Sequence, residues 1–306
     1  MRTLDGSSFA PSLDEHAPVA LVTGANAGIG RAIAMGLANH GCRVVLACRS
    51  RARALEAAAE IEEQTRTRPE ILIVDLADRG SVLDASAEAL ARFPHIDILV
   101  LNAAVWSVTR RLAPSAHERT WATNVLGHHL LLRLLEERLV RSRPARVVVV
   151  ASGLAHSLDL DDTSFEARPY RGIDAYAQSK QAARMLTRAY SRRLAPRGVT
   201  VSSMHPGFTR TDAFSRGGGI QGFVAGLGAR LFGKRPVLAA DTALWLATSD
   251  EVTGLSGGYF QDRNEMPCAF TDPAGEEALF ALCDAQSDVA SARAALEPTP
   301  SVKEAA

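Results

Sequence analysis

The stretch VALVTGANAGIGRAIAMGLANHG, residues 19–41, decides the fold. Val19 to Thr23 is a short apolar run, as expected of a strand covered on both faces. Gly24, Gly28 and Gly30 follow with GxxxGxG spacing, and a helical pattern then runs to about His40. Glycines permit a tight turn and close backbone approach, and the free N–H groups of a helix start suit a pyrophosphate. The spacing departs from the GxGxxG dinucleotide fingerprint, but the physics is shared. Thr23 is expected to help hold the turn.

Outward from this loop, short apolar runs alternate with helical stretches. RVVLAC (43–48), EILIVD (70–75), IDILVL (96–101), ARVVVVAS (145–152), VTVSSMHP (199–206) and GGYF (257–260) read as strands. Helical segments are expected over 51–65, about 80–92, about 115–140 and from near Asp174. The alternation predicts a single-domain Rossmann-type α/β fold, a doubly wound parallel sheet of about seven strands with helices on both faces. The domain is assigned to residues 18–284, after a flexible extension over 1–17 and before a mobile Ala/Ser/Pro-rich tail over 285–306.

Composition excludes several classes. With 34 basic and 34 acidic residues the net charge is zero, and no basic stripe marks a nucleic-acid face. The four cysteines form no CxxC pair or zinc-spaced cluster, so no metal site is expected. No apolar leader and no run of about 18 apolar residues is present, so a cytoplasmic chain without a membrane span is expected.

Several motifs together resemble the short-chain dehydrogenase/reductase family, classical type, over about residues 18–260. TGANAGIG is similar to its cofactor loop, and DLAD puts Asp75 where the family meets the adenine ring. LNAAV (101–105) resembles its NAG motif, with Ala104 in place of the usual glycine. TNVLGHHLL supplies Asn124, VVVVASGLAH supplies Ser152, YAQSK supplies Tyr176 and Lys180, and HPGFTRT supplies Pro206, Gly207 and Thr211. The resemblance implies a cofactor site of Gly24, Asn26, Gly28, Ile29, Gly30, Arg49, Asp75, Leu76, Asn102, Ala103, Tyr176, Lys180, Pro206, Gly207 and Thr211.

Tyr176 and Lys180 are four residues apart and share one helix face. An ammonium beside a phenol favours the phenolate, so Lys180 is expected to lower the Tyr176 pKa. In the family Lys180 would also hold the nicotinamide ribose, and Asn124 would hold a water linking Lys180 to solvent. Ser152, at a strand end, would orient a substrate oxygen, with Tyr176 as general acid/base for hydride transfer between nicotinamide and a carbonyl or alcohol. Another step on the same scaffold (dehydration, epimerisation or double-bond reduction) and a non-catalytic dinucleotide binder are the alternatives. The histidines are read as structural, although His156 lies near Ser152.

Ser152 and Tyr176 are 24 positions apart, and the segment LDLDDTSFEARPYRGIDA (158–175) is similar to the insertion of the retinol-dehydrogenase-like branch. Ile220, Phe223, Val224, Leu227 and Leu231 recur at helical spacing, and the resemblance implies a substrate lid over about 208–236. The expected substrate is an apolar small molecule met by Trp106, His156, Phe208 and Phe214, and a biosynthetic ketoreductase role is expected. Helices 115–140 and 174–195 often make subunit contacts in the family, so a homo-oligomer is possible on this reading.

The end of the second strand selects the cofactor. A ribose-gripping acid is common there, but this chain has neutral Cys48 and then Arg49. An acid would repel a 2′-phosphate, whereas a guanidinium suits one, so NADP(H) is expected over NAD(H).

Overall fold

The computed structural model describes residues 17–207 and 236–296. In chain order the elements are β1 (Val19–Thr23), α1 (Gly28–Asn39), β2 (Arg43–Cys48), α2 (Arg51–Thr65), β3 (Glu70–Ile73), α3 (Arg79–Arg92) and β4 (Ile98–Leu101). Then come α4 (Arg119–Trp121), a π-helical stretch (Ala122–Leu126), α5 (Gly127–Arg141), β5 (Ala145–Val150), α6 (Gly172–Leu194) and β6 (Val199–Met204). The described residues end with α7 (Pro236–Thr248), β7 (Tyr259–Gln261), β8 (Asn264–Glu265), α8 (Pro273–Gln286) and α9 (Val289–Leu296).

The sheet order is β3-β2-β1-β4-β5-β6-β7-β8. All pairings are parallel except the antiparallel β7–β8 edge, which makes eight strands rather than about seven. The order turns outward in both directions from β1 and β4, so the carboxyl ends of these strands flank the switch point where α/β sheets bind ligands. β1 is buried along its whole length, as its apolar run requires. Two apolar layers cover the faces: one gathers Leu21, Leu99 and Leu131, the other Val22, Ile33 and Leu46.

The expected strands are present, several ending earlier than the apolar run. EILIVD stops pairing at Ile73 and ARVVVVAS at Val150, so Asp75 and Ser152 lie just past the sheet edge. The expected helix over 115–140 is not one regular rod, because the π-helical turn carries Asn124 between α4 and α5. The mobile-tail reading from residue 285 needs correction for its first part. α9 buries Val289 and Ala292 in the main core, an apolar pair the Ala/Ser-rich composition hid.

α8 begins at Pro273 with Asp272 accepting from the Ala274 and Gly275 N–H groups. It lies on α6, where fully buried Glu276 receives Arg188 Nε at 2.7 Å and is also paired by Arg192. Buried charge needs such pairing to be tolerated. No described helix is long and apolar enough to cross a membrane. Residues 1–16 of the expected N-terminal extension, 208–235 of the expected lid, with Phe208, Thr211 and Phe214, and 297–306 of the expected tail lie outside the described residues.

Candidate active site

Backbone geometry builds the cofactor edge. Gly24 has φ +66°, and a Cβ there would lie 2.9 Å from the Ala103 Cα. A Cβ on Gly30 would lie 2.3 Å from Asn102 Nδ2, so α1 can approach the strand ends only with glycine there. Thr23 is fully buried and accepts the Asn102 and Ala103 N–H groups at 2.9 and 3.1 Å. Asn102 Nδ2 donates back to the Thr23 carbonyl at 2.9 Å, which knits the NAAV segment to the glycine loop.

The start of α1 has no side-chain cap and no acid in its first turn. By contrast, Ser50, Asp78 and Asp272 cap α2, α3 and α8. The unclaimed N–H groups around Gly28 and Ile29 therefore face the switch point, a donor set that fits a pyrophosphate.

Cys48 is buried at the end of β2, and its sulfur accepts from the backbone N–H groups of Ala25 and Asn26. Burial pushes its thiol up to about 11, so it stays neutral there. Arg49 is exposed beside it and reaches Asp75 Oδ2 at 3.6 Å. The Asp75 carboxylate also accepts the Ala77 N–H at 3.1 Å, which fixes the turn after β3. The Leu76 side chain is buried, with its carbonyl against Gly127 at the start of α5. Pro206 and Gly207 follow β6 at the same sheet edge.

The catalytic candidates meet one strand further along. The Ser152 hydroxyl stands beside the Tyr176 phenol, close enough to favour its ionised form. Ser152 Oγ accepts the Leu154 N–H at 3.1 Å, which leaves its own proton available to donate. Lys180 is buried and donates to the Val150 carbonyl at 2.8 Å, with Nζ 5.6 Å from the Tyr176 ring centre. Burial pulls the Lys180 ammonium down to about 8. It pushes the partly exposed Tyr176 phenol up to about 12, while the Ser152 hydroxyl acts the other way. The expected lowering of the Tyr176 pKa by Lys180 is not met in the protein alone, where desolvation sets the direction.

Asn124 is buried, and its side chain is fully engaged. Oδ1 accepts the Val105 N–H at 2.8 Å, and Nδ2 donates to the Val105 carbonyl at 3.0 Å and Ser179 Oγ at 3.1 Å. It thus clamps the NAAV segment to α6. His128 extends the clamp. Its Nδ1 lies 3.3 Å from the Asn124 carbonyl, which can only accept, so Nδ1 carries the proton. Burial, and next the Lys180 charge, hold its pKa at about 3, so the ring is neutral and Nε2 accepts from the Thr23 hydroxyl at 2.9 Å.

On the substrate side, Trp106 stands 6.3 Å from Tyr176, centre to centre. His156 is exposed and contacts Ser157 Oγ at 2.9 Å. Two participants escaped the sequence reading. His205 accepts the Gly153 N–H at 3.1 Å, and Arg184 donates to the Ser152 carbonyl. Arg184 was within reach, since it continues the Tyr176–Lys180 stripe by one turn.

The profile of the short chain dehydrogenase family matches residues 18–217. Retinol dehydrogenase 14 of Homo sapiens is 38% identical over 269 residues, covering 82% of this chain and 80% of its own. Retinol dehydrogenase 13 of Mus musculus is 37% identical over 80% of this chain and 75% of its own. Among solved structures, an uncharacterised protein of Mycobacterium Paratuberculosis superposes with TM-score 0.71 at 26% identity, over 91% of this chain and 97% of its own. A candidate NAD(P)-dependent gluconate 5-dehydrogenase of Beutenbergia cavernae, solved with NADP at low occupancy, gives TM-score 0.65 at 27% identity, over 81% and 96%. The chain belongs to the short-chain dehydrogenase family, on its retinol-dehydrogenase-like side, and is an oxidoreductase of the kind that binds a nicotinamide dinucleotide.

Proposed function

We propose that the chain transfers hydride between NADP(H) and a carbonyl or alcohol group of an apolar small molecule. The observation that carries this reading is the placement of Ser152 beside Tyr176 at the carboxyl edge of the sheet. The pair lies beside the tethered ammonium of Lys180.

The cofactor, when bound, supplies or takes the hydride. The α1 N-terminus would hold its pyrophosphate, and Lys180 its nicotinamide ribose. Ser152 would orient the reacting oxygen by hydrogen bonding, stabilising charge that develops there. Tyr176 would give the proton in reduction and take it in oxidation. Trp106, and outside the described residues Phe208 and Phe214, would supply apolar contact, as the names of the retinol dehydrogenase relatives also suggest. His156, being exposed, would touch only the outer part of a substrate.

Arg49 supports the choice of NADP(H). Among the described residues its exposed guanidinium pairs with Asp75 alone, at 3.6 Å, a surface contact of about 0–1 kcal/mol that a phosphate outcompetes. The NADP-bound neighbour agrees in direction. A cytoplasmic, biosynthetic setting fits this reading. α8 and α9 lie on α6 and α5, so we place any homo-oligomer contact away from that covered part.

The test is a panel of apolar aldehydes, ketones and alcohols, retinal among them, run with NADPH and NADH and followed by product analysis. An NADPH-linked carbonyl–alcohol conversion is expected. An NADH preference would overturn the cofactor assignment. A dehydrated, epimerised or alkene-reduced product would overturn the reaction.

A further inference from the structure

Arg184 stands behind the catalytic set and has no part in the scheme above. It lies one helical turn past Lys180 and two past Tyr176 on α6, so the three residues form one stripe. It is only 7% exposed. Among the described residues its hydrogen bonds go to the Ser152 carbonyl and the Tyr259 hydroxyl rather than to a carboxylate, and its Nε has no hydrogen-bond partner. A guanidinium buried without an acid is unfavourable, so its contacts call for an explanation.

Those contacts converge on Ser152. Arg184 Nη2 donates to the Ser152 carbonyl and to the Tyr259 hydroxyl. Its guanidinium carbon stacks 3.6 Å from the Tyr259 ring centre, with Phe270 at 5.6 Å. The Ser152 turn lies beyond the last residue of β5, so strand pairing does not fix it. Three contacts do: Arg184 on its carbonyl, His205 on the Gly153 N–H, and the Ser152 hydroxyl on the Leu154 N–H.

We propose that Arg184, braced by Tyr259, is a positioning residue that grips the Ser152 carbonyl and thereby aims the Ser152 hydroxyl at Tyr176. This rests on the reading of Ser152 as the group that orients the reacting oxygen. Small displacements of such a group reduce rate far more than they reduce binding.

The first test needs no substrate. The chain has four tyrosines, so 13Cζ-tyrosine labelling gives four resonances, and Tyr176→Phe assigns the one of interest. Arg184→Met is expected to move the Tyr176 resonance in the direction that Ser152→Ala moves it. Tyr259→Phe, which removes the brace hydroxyl but keeps the ring, is expected to move it the same way by less. This second variant carries the test should Arg184→Met fail to fold. A Tyr176 resonance unmoved in the folded variants overturns the proposal.

The second test is kinetic. Arg184→Met is expected to lower kcat by roughly tenfold with the KM for NADPH unchanged. Added to Ser152→Ala, it is expected to change kcat by less than about twofold, because the hydroxyl it aims is gone. A further tenfold loss in the double variant would show that Arg184 acts elsewhere. Absence of turnover by the wild-type chain would strike the functional reading and leave the resonance test standing.

Discussion

At the proposed cofactor edge the chemistry would be written in the backbone. Thr23, Gly24, Gly30 and Asn102 shape a loop whose working groups are peptide N–H donors. At the proposed catalytic edge the chemistry would be carried by side chains brought from different elements. Ser152 follows β5, Tyr176, Lys180 and Arg184 come from α6, Asn124 comes from the π-helical turn and Tyr259 from β7. The first region tolerates almost no added atoms. The second depends on hydrogen bonds that can be cut one at a time without changing volume. The two regions should therefore fail differently when mutated.

The largest effect is expected at Gly30. A Cβ there would also lie 2.5 Å from the Gly24 carbonyl oxygen, so Gly30→Val must push α1 off the strand ends. A loss of about 3 kcal/mol in stability is expected, together with loss of NADPH binding. Thermal melts with and without NADPH check this. A variant with the wild-type Tm and Kd would mean that the loop is softer than its geometry implies.

Arg49→Ala comes next and separates affinity from fold. The side chain is exposed, so the melting temperature is expected to hold. NADPH affinity is expected to fall by roughly 10- to 100-fold, with NADH affinity nearly unchanged. Titration calorimetry with both cofactors is the check, and an equal loss for both would remove Arg49 from the phosphate site.

His128 joins the two regions, and its signature is a pH slope. The fold keeps it neutral down to about pH 3, whereas the unfolded chain protonates it near its ordinary value. Between those values the unfolded state binds the extra proton, so stability falls as pH falls. From pH 6.5 to 5 the loss is about 1.6 kcal/mol. Urea midpoints at both pH values should show this slope in the wild type and a shallower one in His128→Gln. Equal slopes would mean that the ring is not neutral in the fold.

The same contrast explains what was legible in the sequence. A strand, three glycines and a helix lie within residues 19–41, so local pattern reveals the loop, and the apolar runs reveal the parallel sheet. Tyr176 and Lys180 are also local, being one turn apart. The helix stripe put Arg184 within reach, but its role was not legible, because its partners Ser152 and Tyr259 are distant in sequence. His128 looked like an ordinary helix residue, because its link to Thr23 spans 105 positions. The Tyr176 pKa could not be read from the YxxxK spacing, because burial and not the neighbouring cation sets its direction. The α9 segment was misread for a related reason. Small residues bury well only when a partner surface exists, and that surface is supplied by tertiary contact.

The claim that Tyr176 moves the proton is tested most directly by label transfer. Deuterium at C4 of NADPH is followed into the product alcohol, using the carbonyl substrate found by the panel, for the wild type and Tyr176→Phe. The account predicts transfer by the wild type. It predicts a loss of about a hundredfold or more in Tyr176→Phe, with NADPH still bound at near wild-type affinity. Transfer by Tyr176→Phe at close to the wild-type rate would contradict it.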